Sequence, residues 1–221
     1  EAKAAYAGGA FRHCLVFSGK RLPPPRIDHI AQLVRRIKSR YKMEICVSPG
    51  LIDHDQAKIL KHAGVDRINH NLNTSRRHYK KICRTHEYDE RLKTIRAARK
   101  AGLAVCSGII VGMGEQPPDL IAVAQELRAQ KVASIPVNFL LPIPGIALKS
   151  PQGLTPEYCL RVLCLFRLMN PRADIRIAAG REYHLRSLEA LALYPATSLF
   201  LDGYLNTEGA SRYNTLKMIK D

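Results

Sequence analysis

Tryptophan is missing from the 221 residues, and aromatic residues make up only 6%. So few aromatics beside the basic residues argue against a stacking platform for nucleic acid. No apolar run is long enough to span a bilayer, and no signal peptide is visible. Acidic residues are outnumbered, 19 against 35 Lys plus Arg, for a net charge of +16. Such an excess raises nucleic acid, anionic membranes and acidic proteins as partners. The basic residues are dispersed, however, with only short clusters such as Arg76-Arg77 and Lys80-Lys81. That reads as a solvated basic surface, with no nucleic-acid or membrane partner. The six cysteines lack Cys-x-x-Cys pairing, which speaks against a zinc ribbon or a disulfide scaffold. A reducing compartment is expected: cytoplasmic, or the mitochondrial matrix in a eukaryote. No glycine-rich phosphate loop follows the first strand-like run, which weakens a dinucleotide-binding reading. The chain opens on a helical pattern, "EAKAAYAGGA", and stops on an uncapped one, "TLKMIKD". Residues 1–221 are therefore expected to be a single domain, incomplete at both ends.

What is present is an alternation. Strand-like runs occur at 11–19, 43–50, 67–73, 105–112, 134–141, 175–180 and 198–203. Amphipathic helical stretches lie between them. "RIDHIAQLVRRIKSR" places Ile27, Ile30, Leu33, Val34 and Ile37 on one face. "DHDQAKILKHAG" starts on an Asp cap and ends on Gly64, and "DERLKTIRAARKAG" ends on Gly102. Pro117 and Pro156 mark two helix entrances. About seven strand–helix repeats imply parallel strands with crossover helices. The predicted fold is α/β, a (β/α)8 barrel of TIM type lacking its first βα unit. An open doubly wound sheet is the alternative.

In a barrel the chemistry sits at the C-terminal strand ends and in the upper interior. The runs carry Arg12 and Cys14, Cys46, Asn69 to Asn73, Cys106 and Ser107, Asn138, and Arg176. Burying so many polar groups is costly unless they find partners, so they read as the lining of a polar chamber. One strand cysteine is ordinarily packing. Cys14, Cys46 and Cys106 hold middle positions on three runs, and three inward thiols can converge on one iron–sulfur centre. Arg12 precedes Cys14 by two residues and shares its strand face. Cys83, in a basic loop, and Cys159 and Cys164, in a helix, read as structural.

The blocks "NHNLNTS" (69–75), "CSGIIVGMGE" (106–115), "IPVNFLLPIPGIAL" (135–148) and "IRIAAGRE" (175–182) stand in order. Together they resemble the biotin synthase family of the radical S-adenosylmethionine superfamily. The second block carries Gly108-x-Ile110-x-Gly112-x-x-Glu115. The resemblance implies a (β/α)8 barrel, a homodimer and two clusters. A 4Fe–4S cluster on a Cys-x-x-x-Cys-x-x-Cys loop cleaves S-adenosylmethionine, and no such loop exists in this chain. A 2Fe–2S cluster has Cys14, Cys46, Cys106 and the unusual ligand Arg176. S-adenosylmethionine falls to Asn71, Asn73, Gly108, Ile110 and Gly112, where Ile110 and Gly112 leave room for the adenine. The substrate, dethiobiotin, falls to Asn69, Asn71 and Asn138. Position 73 is Asp in some relatives and Asn here. The implied reaction is sulfur insertion by a 5′-deoxyadenosyl radical, with electrons from a flavodoxin- or ferredoxin-type reductant. No catalytic acid or base is identified. The rival readings are a related radical maturase or mutase, expected to lack one or more strand cysteines, and a degenerate, non-catalytic fragment.

Overall fold

A computed structural model describes residues 1–141, 151, 153–201 and 211–220. Helix α1 (Ala2–Ala7) precedes strand β1 (Arg12–Val16). Helix α2 (Pro24–Lys38) leads to β2 (Glu44–Ser48), and α3 (His54–His62) leads to β3 (Arg67–Asn69). Helices α4 (Arg76–Ile82) and α5 (Tyr88–Lys100) follow, then β4 (Ala104–Cys106) and β5 (Ile109–Val111). Next come α6 (Pro117–Ala129), β6 (Ser134–Phe139), α7 (Pro156–Met169) and β7 (Asp174–Ile177). Helix α8 (Arg181–Leu185), a 3-10 helix (Arg186–Leu193), β8 (Ser198–Leu199) and α9 (Arg212–Lys220) complete the described elements. The end of the third block, residues 142–148, and of the last strand-like run, residues 202–203, lie outside the described residues. Among those described, no helix is long and apolar enough to cross a membrane.

The chain divides into two compact units, Glu1–Asn71 with Cys83–Cys106, and Leu72–Ile82 with Ser107–Asp221. In the first, β1, β2, β3 and β4 pair in parallel in that order. Ile45, Val47, Ile68 and Val105 are fully buried on one side of these strands. Ile27, Ile30 and Val34 of α2, Leu60 of α3, and Leu92 and Ile95 of α5 are buried as well. Each such side chain contributes about 1.5–3 kcal/mol of hydrophobic stabilisation. The cap expected at Asp53 is there: its carboxylate accepts the Gln56 N–H at 2.9 Å, and the Gln56 side chain accepts the Asp53 N–H at 3.2 Å.

In the second unit β5, β6, β7 and β8 pair in parallel. The run read as one strand over 105–112 is in fact two, β4 and β5, with a break at Ser107 and Gly108. A Cβ on Gly108 would stand 1.8 Å from the Pro136 carbonyl oxygen, so only glycine fits there. Pro136 lies inside β6, where a proline normally leaves a ladder donor missing. The break in the neighbouring run falls beside it, where no N–H is required. The stretch 67–73, read as a strand throughout, is extended only to Asn69, because Asn73 turns the chain at φ 69°. The basic stretch after it is a short helix, α4, entered from Ser75, whose hydroxyl accepts the His78 N–H at 3.1 Å.

Two glycines separate conformational strain from steric clash. Around Gly9 (φ 75°) the space a Cβ would enter is open, with nothing within 4 Å, while at Gly180 (φ 79°) a Cβ would lie 2.2 Å from the Phe139 carbonyl oxygen. Gly9→Ala is expected to cost about 1–2 kcal/mol, the left-handed penalty alone. Gly180→Ala is expected to cost clearly more. Urea unfolding midpoints of the two variants check the difference, and equal losses would contradict the close approach at Gly180.

Candidate functional site

Strand alternation sorts the first unit into two faces. Opposite the buried aliphatic face, β1 presents Arg12 and Cys14, β2 presents Glu44, Cys46 and Ser48, β3 presents Arg67 and Asn69, and β4 presents Cys106. The register aligns Arg12 with Glu44, Cys14 with Cys46, Cys46 with Arg67, and Asn69 with Cys106. All six cysteines are free.

The structure brings the three predicted thiols into a row. Cys46 is fully buried, and its thiol interacts with those of Cys106 and Cys14. Those two contacts, with burial, hold its proton and push its pKa well above the ordinary thiol value. Cys14 shifts down, chiefly through its interaction with the Cys46 thiol, with a further contribution from the Arg12 guanidinium, against the effect of burial. Cys14 is thus readier to ionise than Cys46. The row is not a ready-made single-ion site: among the described residues no group of three His, Cys, Asp or Glu side chains is arranged to hold one metal ion.

Polar groups flank the row. The Glu44 Oε2 accepts the Arg12 Nε–H at 2.7 Å and the Arg67 Nε–H at 3.1 Å. The Arg67 Nη1, the Asn69 Oδ1 and the His70 Nε2 are buried without a hydrogen-bond partner. Unsatisfied buried polar atoms cost roughly 1–3 kcal/mol each, so the two on the thiol face, at Arg67 and Asn69, mark a place built to receive something. The Asn69 carbonyl accepts the Ser48 hydroxyl at 3.1 Å, and the Asn71 carbonyl accepts the Arg91 Nη1–H at 2.6 Å. His70 is held neutral, its pKa lowered to about 3 by burial, then by the charges of Arg91 and His86. Three thiols on one half-buried polar face, with donors and acceptors to spare, suit the chemistry of an iron–sulfur cluster. No Cys-x-x-x-Cys-x-x-Cys loop occurs in the sequence, so the residues present do not fit a 4Fe–4S cluster of that kind.

The second unit holds the other predicted residues. Asn73 is clamped by its backbone: its N–H donates to the Gly108 carbonyl at 3.0 Å, and its carbonyl accepts the Ile110 N–H at 2.9 Å. Glu115 closes the turn of its motif, accepting the Gly112 N–H at 2.6 Å and the Met113 N–H at 2.8 Å. His78 Nε2 donates to the Met113 carbonyl at 3.1 Å and holds that turn against α4. Asp119 accepts both the Ser75 hydroxyl and the Arg77 guanidinium, which tie α4 to α6, and these contacts hold its carboxyl far below the usual range. The space a side chain at Gly112 would need is filled by Leu154 and Pro151. Ile110 is half-buried and in register with Asn138. The Asn138 side chain is spent on backbone, donating to Ile109 at 3.0 Å and accepting from Ala179 at 3.3 Å. Arg176 is buried on β7, its Nε donating to the Ser198 hydroxyl at 3.0 Å and its Nη2 to Asp174 at 3.1 Å. Arg67, Glu44, His78 and Asp119 were not singled out from the sequence. Glu44 carried a signal, standing two before Cys46 as Arg12 stands two before Cys14.

Residues 1–127 match the radical SAM superfamily model, and residues 136–221 match the biotin and thiamin synthesis associated domain. The whole chain is 52% identical to a biotin synthase of Magnetococcus marinus over 220 residues, and 52% identical to one of Acaryochloris marina over 221. The chain belongs to the biotin synthase family of the radical SAM superfamily. It spans 68% and 64% of the length of those two relatives. A methylornithine synthase structure is similar over 96% of this chain and 64% of its own, at TM-score 0.74 and 21% identity. A FeFe-hydrogenase maturase from Carboxydothermus hydrogenoformans is similar over 99% of this chain and 56% of its own, at TM-score 0.81 and 15% identity. At those identities the likeness concerns the fold, which is the α/β, TIM-type barrel class of radical SAM enzymes expected from the strand–helix alternation.

His70 makes the stability of this family member depend on pH in a known direction. Its folded pKa of about 3 lies below the ordinary 6.5, so the unfolded chain binds more protons between those values. The contribution is intact above pH 6.5 and is lost as pH falls towards 3. From pH 7 to pH 5 the native protein should lose about 2 kcal/mol more than His70→Asn does, at about 1.4 kcal/mol per pH unit. Urea midpoints of both proteins at the two pH values test this, and parallel losses would place the imidazole in water.

Proposed function

We propose that this chain is the larger part of a biotin synthase, an enzyme that inserts sulfur into dethiobiotin. The observation carrying the reading is the row of Cys14, Cys46 and Cys106 on one half-buried polar face, in a chain 52% identical to curated biotin synthases. When bound, S-adenosylmethionine with a 4Fe–4S cluster supplies a 5′-deoxyadenosyl radical, and a 2Fe–2S cluster supplies the sulfur. The three cysteines hold the 2Fe–2S cluster, and Arg176 is its fourth ligand. A guanidinium is a poor ligand while protonated, so the thiols dominate retention and Arg176 tunes it. Asn69 and Asn71 offer uncharged amides for the ureido ring and ribose hydroxyls. The closed turn Gly112–Glu115 and the clamped Asn73 give S-adenosylmethionine a rigid edge, with Ile110 on β5 and Gly108 at the break before it. Asn138 acts on the substrate side by keeping β5 in place. The whole protein works as a cytoplasmic homodimer, reduced by a flavodoxin- or ferredoxin-type carrier that docks on its basic surface. The 4Fe–4S ligands are not in this sequence.

Iron and sulfide content after anaerobic reconstitution, with visible absorbance, tests the ligand set. Cys→Ser at 14, 46 or 106 should reduce both contents to background. Arg176→Ala should retain most of the cluster, and Cys→Ser at 83, 159 or 164 should leave it unchanged. Loss of the cluster in Cys83→Ser, Cys159→Ser or Cys164→Ser, with retention in Cys46→Ser, would overturn the assignment.

A further inference from the structure

Arg67 is a charged residue in a strand whose opposite face is pure aliphatic core. Its Cα is in register with Cys46 on one side and Ala104 on the other, and alternation puts its side chain on the thiol face. Its Nε–H is committed to the Glu44 Oε2 at 3.1 Å, the same oxygen that accepts the Arg12 Nε–H. The Arg67 Nη1 is buried and has no partner.

A buried guanidinium N–H without an acceptor is destabilising. An apolar residue would be cheaper at a purely structural position. An anionic acceptor suits a buried guanidinium best, and the neighbouring cysteines become thiolates when they bind metal. We propose that Arg67 is a positioning residue of the thiol site, whose free N–H and charge stabilise the anionic sulfur of the group held by Cys14, Cys46 and Cys106. The inference rests on the 2Fe–2S reading and deepens it. Hydrogen bonds and net charge near the sulfurs set the reduction potential of such a cluster. Positive charge at Arg67 favours the electron-rich form and raises that potential.

The test is the reduction potential of the chain reconstituted with iron and sulfide, together with the rate of iron loss to a chelator. Arg67→Met should lower the potential and speed iron loss several-fold. Arg67→Lys, which keeps the charge, should recover most of the potential. If Arg67→Met does not fold, Arg67→Gln compared with Arg67→Lys reads the same difference in charge. An unchanged potential in the neutral variants, even with a lower melting temperature, would make Arg67 a structural tie to Glu44 and overturn the inference while leaving the cluster reading intact. Failure of the native chain to take up any 2Fe–2S cluster would instead overturn the cluster reading, and this inference with it.

Discussion

The parallel register of β1 on β2 is the constraint on which the site depends. With Cys14 level with Cys46, every second residue of both strands lies on the thiol face, and the intervening Ile45 and Val47 of β2 enter the aliphatic core. A slip of one residue would turn His13 and Ile45 onto that face and bury Arg12, Cys14, Glu44 and Cys46 against the helices. The cost of burying those polar groups enforces the register as strongly as the gain from burying Ile45 and Val47. Core and site are thus specified together, by one pattern of alternation.

The polar groups then divide by whether their hydrogen-bonding capacity is used up within the protein. Asn138, Glu115 and Asp119 spend theirs on backbone and on neighbouring helices, and what they secure is geometry. Asn69, His70 and Arg67 keep an atom uncommitted in a place water does not reach. Satisfied groups hold the frame, and unsatisfied ones mark where another molecule completes the set. That distinction separates Asn69 from Asn138, two asparagines equally plausible as ligand contacts from sequence alone.

The strand–helix alternation was legible because its two periods, near 2 and near 3.6, are written in the apolar residues. The cap at Asp53 and the proline-led starts at Pro117 and Pro156 were legible for the same local reason. The thiol row was legible as three cysteines in equivalent strand positions. The split between β4 and β5 was not, since it follows from Pro136, a residue of another strand. Nor was the strand end at Asn69, because Ile68 to Leu72 look uniformly extended until the left-handed turn at Asn73 is seen. Arg67 was hidden, and the spacing of Glu44 from Cys46 was passed over, because a charge near a strand end ordinarily reads as a solvated terminus. Their role emerges only when two strands are laid side by side.

The left-handed backbone at Asn73 reaches further than the turn itself. With both its N–H and its carbonyl held by Gly108 and Ile110, the residue cannot relax to another conformation without releasing the edge of β5. Asparagine and aspartate, with glycine, are the residues that accept such a backbone most readily. Admission to position 73 is therefore decided by main-chain shape before any ligand is considered. The carboxylate or carboxamide found there comes from a shortlist drawn up by the fold, and a change between the two alters the charge offered to a bound molecule while leaving the architecture beneath it untouched.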